Sequence, residues 1–149
     1  MSLPPLRFEP ILKERPWGGR ALENLGRRLP GGPGTLIGES WEIADLAATD
    51  PGGGGGKPAL SRVANGPLAG RTLHDLIGAY GPRLLGSVPL EQGVDQGAFP
   101  LLVKYLDARQ NLSVQVHPSP RYAAAHPEAH LKSEAWYILS AEPGAQIGV

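Results

Sequence analysis

Ser113, Gln115 and His117 alternate with Leu112, Val114 and Val116 in the stretch LSVQVHP. In an extended chain residues i, i+2 and i+4 share a face. One face therefore offers a hydroxyl, an amide and an imidazole, and the other is apolar. A neutral imidazole and an amide oxygen about 7 Å apart along such a face can turn onto one ion with little backbone movement. A second run, KSEAWYIL, carries Lys132 and Glu134. If the two runs are neighbouring antiparallel strands, Glu134 can add a carboxylate oxygen, with Lys132 as a mobile cation beside it. Imidazole, carboxylate and amide donors suit Zn²⁺ or a similar divalent ion, which normally takes at least three protein ligands. His126 and His130 lie between the runs in AAAHPEAHLK, a segment that reads as exposed. The same spacing also fits an ordinary arrangement, with a surface histidine ahead of a proline and a solvated glutamate opening a strand.

Positioning these residues requires a β framework. PLLVKYLDA, LSVQVHP, EAWYILSA and QIGV read as closely spaced strands, with EPGA as a turn before the last. Together with IGESWEIAD at 37–45 and a Pro-broken edge strand in PLRFEPIL, they predict an all-β sandwich or barrel. In IGESWEIAD, Ile37, Glu39, Trp41 and Ile43 are expected on one face, opposite Gly38, Ser40, Glu42 and Ala44. Leu101, Leu102, Val103, Leu106, Val114, Val116, Tyr137, Ile138 and Leu139 are the expected core. WGG at 17–19 reads as a tight turn, and RALENLG as a short helix closed by Gly26. TLHDLIGAY is the strongest helix: Thr72 is its N-cap, with Asp75 in the capping-box position. Leu73, Leu76 and Ile77 have helical spacing, and His74 is expected in solvent. Ser119 should cap a second short helix with Pro120 at its first position and Pro127 beyond its end. Residues 50–58 are Gly-rich and read as a flexible loop.

Composition narrows the function classes. The chain has 149 residues, about one domain. Fourteen Lys and Arg balance fourteen Asp and Glu, so no charge excess favours nucleic acid or an anionic membrane. There is no cysteine, hence no disulfide and no thiolate metal site. No run approaches the roughly 18 apolar residues that span a bilayer, and the N-terminus lacks a signal-type apolar core. A cytoplasmic protein is expected. The last residue, Val149, falls inside a strand-like run, which suggests a fragment.

KERPWGG, GESWEIA, VANGPLAGRTLHDLI, FPLLVKYLDARQNLSVQVHPSPRYA and LKSEAWYILSAEPGAQI follow one another in this order. In this the chain resembles the N-terminal half of a type I mannose-6-phosphate isomerase of the short bacterial form. The resemblance implies a cupin-type jelly-roll barrel, here incomplete, with one zinc ion. It also implies the interconversion of mannose 6-phosphate and fructose 6-phosphate through an enediol(ate), so the expected partner is a small sugar phosphate. It places zinc ligands at His117 and Glu134, with Gln115 as an additional one. Lys132 would line the sugar site, Ser113 would lie near the substrate phosphate, and Trp17 would stand at the pocket edge. Glu39, Ser40 and Glu42 fall in a family motif without an assigned role. The family's other zinc histidine and its active-site arginine would lie beyond residue 149, so the chain carries a half-site. Two alternatives follow: a non-catalytic remnant or sugar-phosphate-binding cupin, and a metal-dependent cupin oxygenase or epimerase. The latter usually carry an H-x-H pair where this chain has Gln115-x-His117.

Overall fold

A computed structural model describes residues 3–49, 56–86, 97–126, 128–129 and 131–148. Residues 50–55 of the expected Gly-rich loop lie outside the described residues, as do Pro127 and His130. The chain divides into two compact units, 1–112 and 113–149.

The first unit is built on a three-stranded antiparallel sheet in the order β1-β2-β5, with β1 at Ile11–Gly19, β2 at Ile37–Ile43 and β5 at Val103–Leu106. A smaller pair, β3 at Asp45–Leu46 and β4 at Ala59–Leu60, is also antiparallel. The central strand β2 is buried from Ile37 to Trp41. Opposite Ser40 stand Leu12 of β1 and Tyr105 of β5. The β1–β2 register slips between Lys13 and Glu14, where Gly38 is skipped. Such a bulge turns the following residue to the other face. Ile37 accordingly packs with Leu22, Leu29, Leu12 and Tyr105. Trp41 packs with Ala44, Ala59, Ile11, Leu46 and Leu102. The expected grouping of Ile37 with Trp41 is thus corrected by the bulge.

The expected turn at WGG is instead the end of β1. Gly18 passes against β2 so closely that a Cβ on it would lie 2.6 Å from the Ile37 carbonyl carbon. A Cβ on Gly38 would meet the Trp17 ring at 2.6 Å. Two backbones without side chains make this crossing possible. After it, a 3-10 turn at Ala21–Leu25 ends on Gly26 with φ 74°.

Glu39 lies at the centre of the sheet, only 6% exposed. It accepts hydrogen bonds from Arg15 Nε at 2.9 Å and from Trp41 Nε1, and Lys104 Nζ lies 3.8 Å away. Burial pushes its carboxyl up, but the Trp41 and Arg15 hydrogen bonds and the Lys104 and Arg15 charges outweigh burial. The net result is a carboxyl held below its usual range. On the opposite face Ser40 donates to Glu42 at 2.6 Å, and Arg27 grips Glu42 through both oxygens at 3.2 and 2.6 Å.

The helix α1 spans Leu73–Tyr80, as expected. Thr72 accepts from the Asp75 N–H and Asp75 accepts from the Thr72 N–H, each at 3.1 Å. Leu73, Leu76 and Ile77 are buried. A short turn of helix, α2 at Pro82–Leu85, follows it. His74, expected in solvent, is half exposed and its Nδ1 lies 3.2 Å from buried Asp45. The other Asp45 oxygen accepts the Phe99 N–H at 2.8 Å.

The second unit contains α3, Pro120–Ala125, with the Ser119 hydroxyl accepting from the Tyr122 N–H at 3.2 Å as the sequence predicts. The expected strands at LSVQVHP, EAWYILSA and QIGV are absent among the described residues. These runs find no ladder there, and an alternating sequence buries a face only when a hydrogen-bonded neighbour fixes its register. Their expected core residues are therefore exposed: Val114 at 95%, Val116 at 90% and Tyr137 at 87%, with Ile138 and Leu139 over half. In the first unit Leu101 and Val103 are also exposed, just before and at the start of β5, which pairs with β2 alone among the described residues. Leu102 and Leu106 are half-buried.

The described sheets are antiparallel and open, joined by short helices: mainly β, with the barrel incomplete as expected. No helix among the described residues is long and apolar enough to cross a membrane.

Two outcomes follow from the sheet. A carboxylate whose folded value is lowered stabilises the fold above its unfolded value and loses that contribution as pH falls through the folded one. Glu39→Gln should therefore cost about 2 kcal/mol near neutral pH, and the difference should shrink towards pH ~3 in urea titrations. Gly18→Ala should cost about 3 kcal/mol at every pH, because the added methyl meets backbone rather than a side chain that can swing away.

Candidate metal centre

The second unit brings together two of the residues singled out for metal binding. His117 Nε2 lies 3.5 Å from Glu134 Oε2, and the other oxygen of Glu134 is ion-paired with Lys132. All three side chains are partly accessible: His117 34%, Glu134 25% and Lys132 43% exposed. The approach is made between extended stretches without ladders, so the expected meeting occurs without the expected strands. Lys132 and Glu134 stand two positions apart, which puts them on one side of an extended chain and within reach of each other.

A donor spacing of 3.5 Å suits an edge of a small coordination polyhedron. Zinc–ligand bonds of about 2.0–2.1 Å place two tetrahedral ligands roughly 3.3–3.4 Å apart. An imidazole nitrogen and a carboxylate oxygen are also the donor types zinc takes. Two positions of a zinc site are therefore compatible with this geometry. A third is not supplied: no group of three His, Cys, Asp or Glu able to hold a metal ion occurs among the described residues. Gln115 and Ser113 are exposed on the same stretch as His117. Trp17 lies in the first unit, half-buried, with its ring over Gly38 and its carbonyl accepting the Arg109 N–H at 2.9 Å.

His126, read from sequence as exposed, has its own partners. Its ring stacks on Tyr122 with centroids 4.0 Å apart, and its Nδ1 lies 3.1 Å from Glu128. The i, i+4 spacing of Tyr122 and His126 on a short helix is the signal that predicts this contact. Asp107 and Arg109 received no role from the sequence. Asp107 Oδ2 accepts the Ala21 N–H at 2.6 Å, and its own N–H donates to the Gly38 carbonyl at 2.8 Å. With the Arg109–Trp17 bond, this fastens the segment after β5 along the Gly18–Gly38 crossing. No local spacing announces it, since the partners are some 70 to 90 residues apart in sequence.

Comparison with known proteins gives this arrangement its context. The chain is 39% identical over 145 residues to probable mannose-6-phosphate isomerase GmuF of Bacillus subtilis, covering 96% of this chain and 40% of that protein. It is 38% identical to mannose-6-phosphate isomerase ManA of the same organism, over 99% of this chain and 41% of the relative. The crystal structure of the mannose 6-phosphate isomerase from Bacillus subtilis superposes with a TM-score of 0.61 at 34% identity, covering 85% of this chain and 34% of that one. The likeness supports the cupin-type class with an incomplete barrel. The chain thus spans about two-fifths of the length of the curated relatives it matches. The family model for the type I phosphomannose isomerase catalytic domain matches residues 6–144, nearly the whole sequence, and the chain belongs to that family.

Proposed function

We propose that the chain contributes the His117–Glu134 part of a zinc site in an aldose–ketose isomerase that interconverts mannose 6-phosphate and fructose 6-phosphate. The observation that carries this is the 3.5 Å approach of an imidazole and a carboxylate, in a chain of this family. Isomerisation moves a proton between C1 and C2 of the sugar through an enediol(ate). Negative charge develops on the neighbouring oxygen, and positive charge held nearby lowers the barrier. Zinc, when bound, would supply a Lewis acid at this point.

The chain's own residues have distinct parts in this scheme. His117 and Glu134 would hold the ion, with Gln115 as a further donor if its stretch turned towards them. Lys132 is ion-paired with Glu134, and from there it would present an ammonium to the sugar oxygens. The pair is half exposed and worth at most about 1 kcal/mol to stability, so its significance lies in placing charge. Ser113, exposed on the same stretch as His117, is available as a hydroxyl donor to the phosphate.

One observation favours a second reading. Only two metal-type donors converge among the described residues, and a catalytic zinc normally has three protein ligands. On this basis the chain by itself is a binding module for a sugar phosphate without turnover. Metal analysis combined with a coupled assay on mannose 6-phosphate separates the two readings. Turnover requires the isomerase, whereas ligand binding without turnover marks the binding module.

The metal assignment leads to the next expected outcome. Zinc titrated into the metal-stripped chain should bind with a calorimetric signal that falls at least about tenfold in affinity in His117→Ala and in Glu134→Ala. Unchanged affinity in both would remove the site. In a protein of the relatives' full length carrying this sequence, Lys132→Met should leave zinc content intact. It should lower kcat by about 10²–10³, and a kcat equal to that of the parent would exclude a role for the ammonium.

A further inference from the structure

Within the first unit, one side chain extends the backbone pairing that fastens the N-terminal segment. Asn65 Oδ1 accepts the Arg7 N–H at 2.7 Å, and its Nδ2 donates to the Pro5 carbonyl at 3.0 Å. The carboxamide thereby acts as one more peptide group in the antiparallel pairing of residues 5–9 with 62–65. The neighbouring bonds of that pairing are Glu9 N–H to Arg62 O at 2.9 Å and Ala64 N–H to Arg7 O at 2.7 Å, with Phe8 opposite Val63. The next residue is Gly66, exposed, with φ at 65° and open space where a Cβ would stand.

We propose that Asn65 is a latent deamidation site, held intact by this clamp, and that its conversion releases the N-terminal segment. The backbone nitrogen of Gly66 attacks Asn65 Cγ, forming the N–Cγ bond of a five-membered succinimide. The Cγ–Nδ2 bond breaks, and Nδ2 leaves as ammonia with the proton lost from the Gly66 nitrogen. Water then opens either ring carbonyl, giving an aspartyl or isoaspartyl residue at position 65. No oxidant or cofactor is needed. A glycine after the asparagine leaves the attacking nitrogen unshielded. Asn65 is only half-buried, so water reaches the ring.

Attack requires the carboxamide to swing towards Gly66, and both of its polar atoms are engaged with residues 5 and 7. The reaction therefore proceeds from the open state of the segment, at a rate set by how often it opens. The product recloses only half of the clamp, the bond accepted from the Arg7 N–H. A carboxylate has no N–H for the Pro5 carbonyl, and two acceptors would face each other. Pro4, Leu6 and Phe8 of this segment line an apolar cavity of about 270 Å³ with Ile43, Leu73 and Phe99, so release uncovers apolar surface.

The full chain is incubated in mildly alkaline buffer and position 65 is followed by peptide mass mapping and isoaspartyl assay. Deamidation in the folded protein should be many times slower than in the free peptide VANGPLA. Arg7→Pro, which removes the N–H that Asn65 accepts, should accelerate it about fivefold. Asn65→Asp, made directly, should be cut by trypsin after Arg7 faster than the parent, and this measurement does not depend on Arg7→Pro folding. Equal rates in folded chain and free peptide, or unchanged cleavage after Arg7 in Asn65→Asp, would overturn the proposal.

Discussion

A single buried carboxylate organises the first unit. Glu39 sits on the central strand, and its partners come from all three strands of the sheet: Arg15 from β1, Trp41 from β2 itself and Lys104 from β5. A carboxylate at 6% exposure is costly unless its lone pairs are filled and its charge is answered. Here two hydrogen bonds and a second cation meet that requirement, and they can do so only in one register. A slip of β1 by one residue would carry Arg15 to the far face and leave Glu39 without its main partner. Lys13 adds to the same face by lying 4.4 Å over the Trp41 ring. The polar centre thus specifies pairing that the apolar residues alone, spread over two separate clusters, would leave loose.

This gives the WGG and GESWEIA motifs a structural meaning. Gly18 and Gly38 allow two backbones to touch, Glu39 ties the strands together, and on the reverse side the Ser40–Glu42–Arg27 chain ties β2 to the connection after the 3-10 turn. The segment after β5 is then laid along the crossing by Asp107 and Arg109. None of these residues needs a ligand to account for its type. The chemistry-bearing residues of these motifs are engaged by the framework, whereas His117, Lys132 and Glu134 of the second unit contact one another at partly accessible positions.

What the sequence makes legible follows the range of the interactions. α1 and α3 are readable because their signals are local: Thr72 with Asp75, and Ser119 ahead of Pro120. β2 is readable in extent, but the side on which Ile37 falls depends on a bulge set by the partner strand. WGG reads as a turn because glycine is permissive in turns, and nothing local tells that use from a close crossing inside a strand. The pattern of LSVQVHP is genuine strand chemistry, yet a strand is a relation between two segments, and the run has no ladder among the described residues. The pairing of His117 with Glu134 was legible for a different reason. It rests on residue types and family resemblance, and a single contact between long side chains tolerates backbone that is merely extended.

Among the described residues, the missing third metal donor and the missing strands of the second unit have a common physical origin. Gln115 belongs with His117 only if the backbone between them is held flat, since a fixed pleat aims alternate side chains the same way. A ladder to a neighbouring strand is what fixes that pleat and its register. Among the described residues there is none: Val114 and Val116 are exposed, and no ladder holds Gln115 to the direction of the imidazole. The ion pair of Lys132 with Glu134 does not have this dependence, because two flexible side chains of opposite charge find each other across a single turn of extended chain. The contact of His117 with Glu134 is likewise made between extended stretches without a ladder, so it is the part of the proposed site that forms without strand pairing. The third donor and the apolar face beneath it are a single cooperative feature, gained or lost with the strand pairing itself.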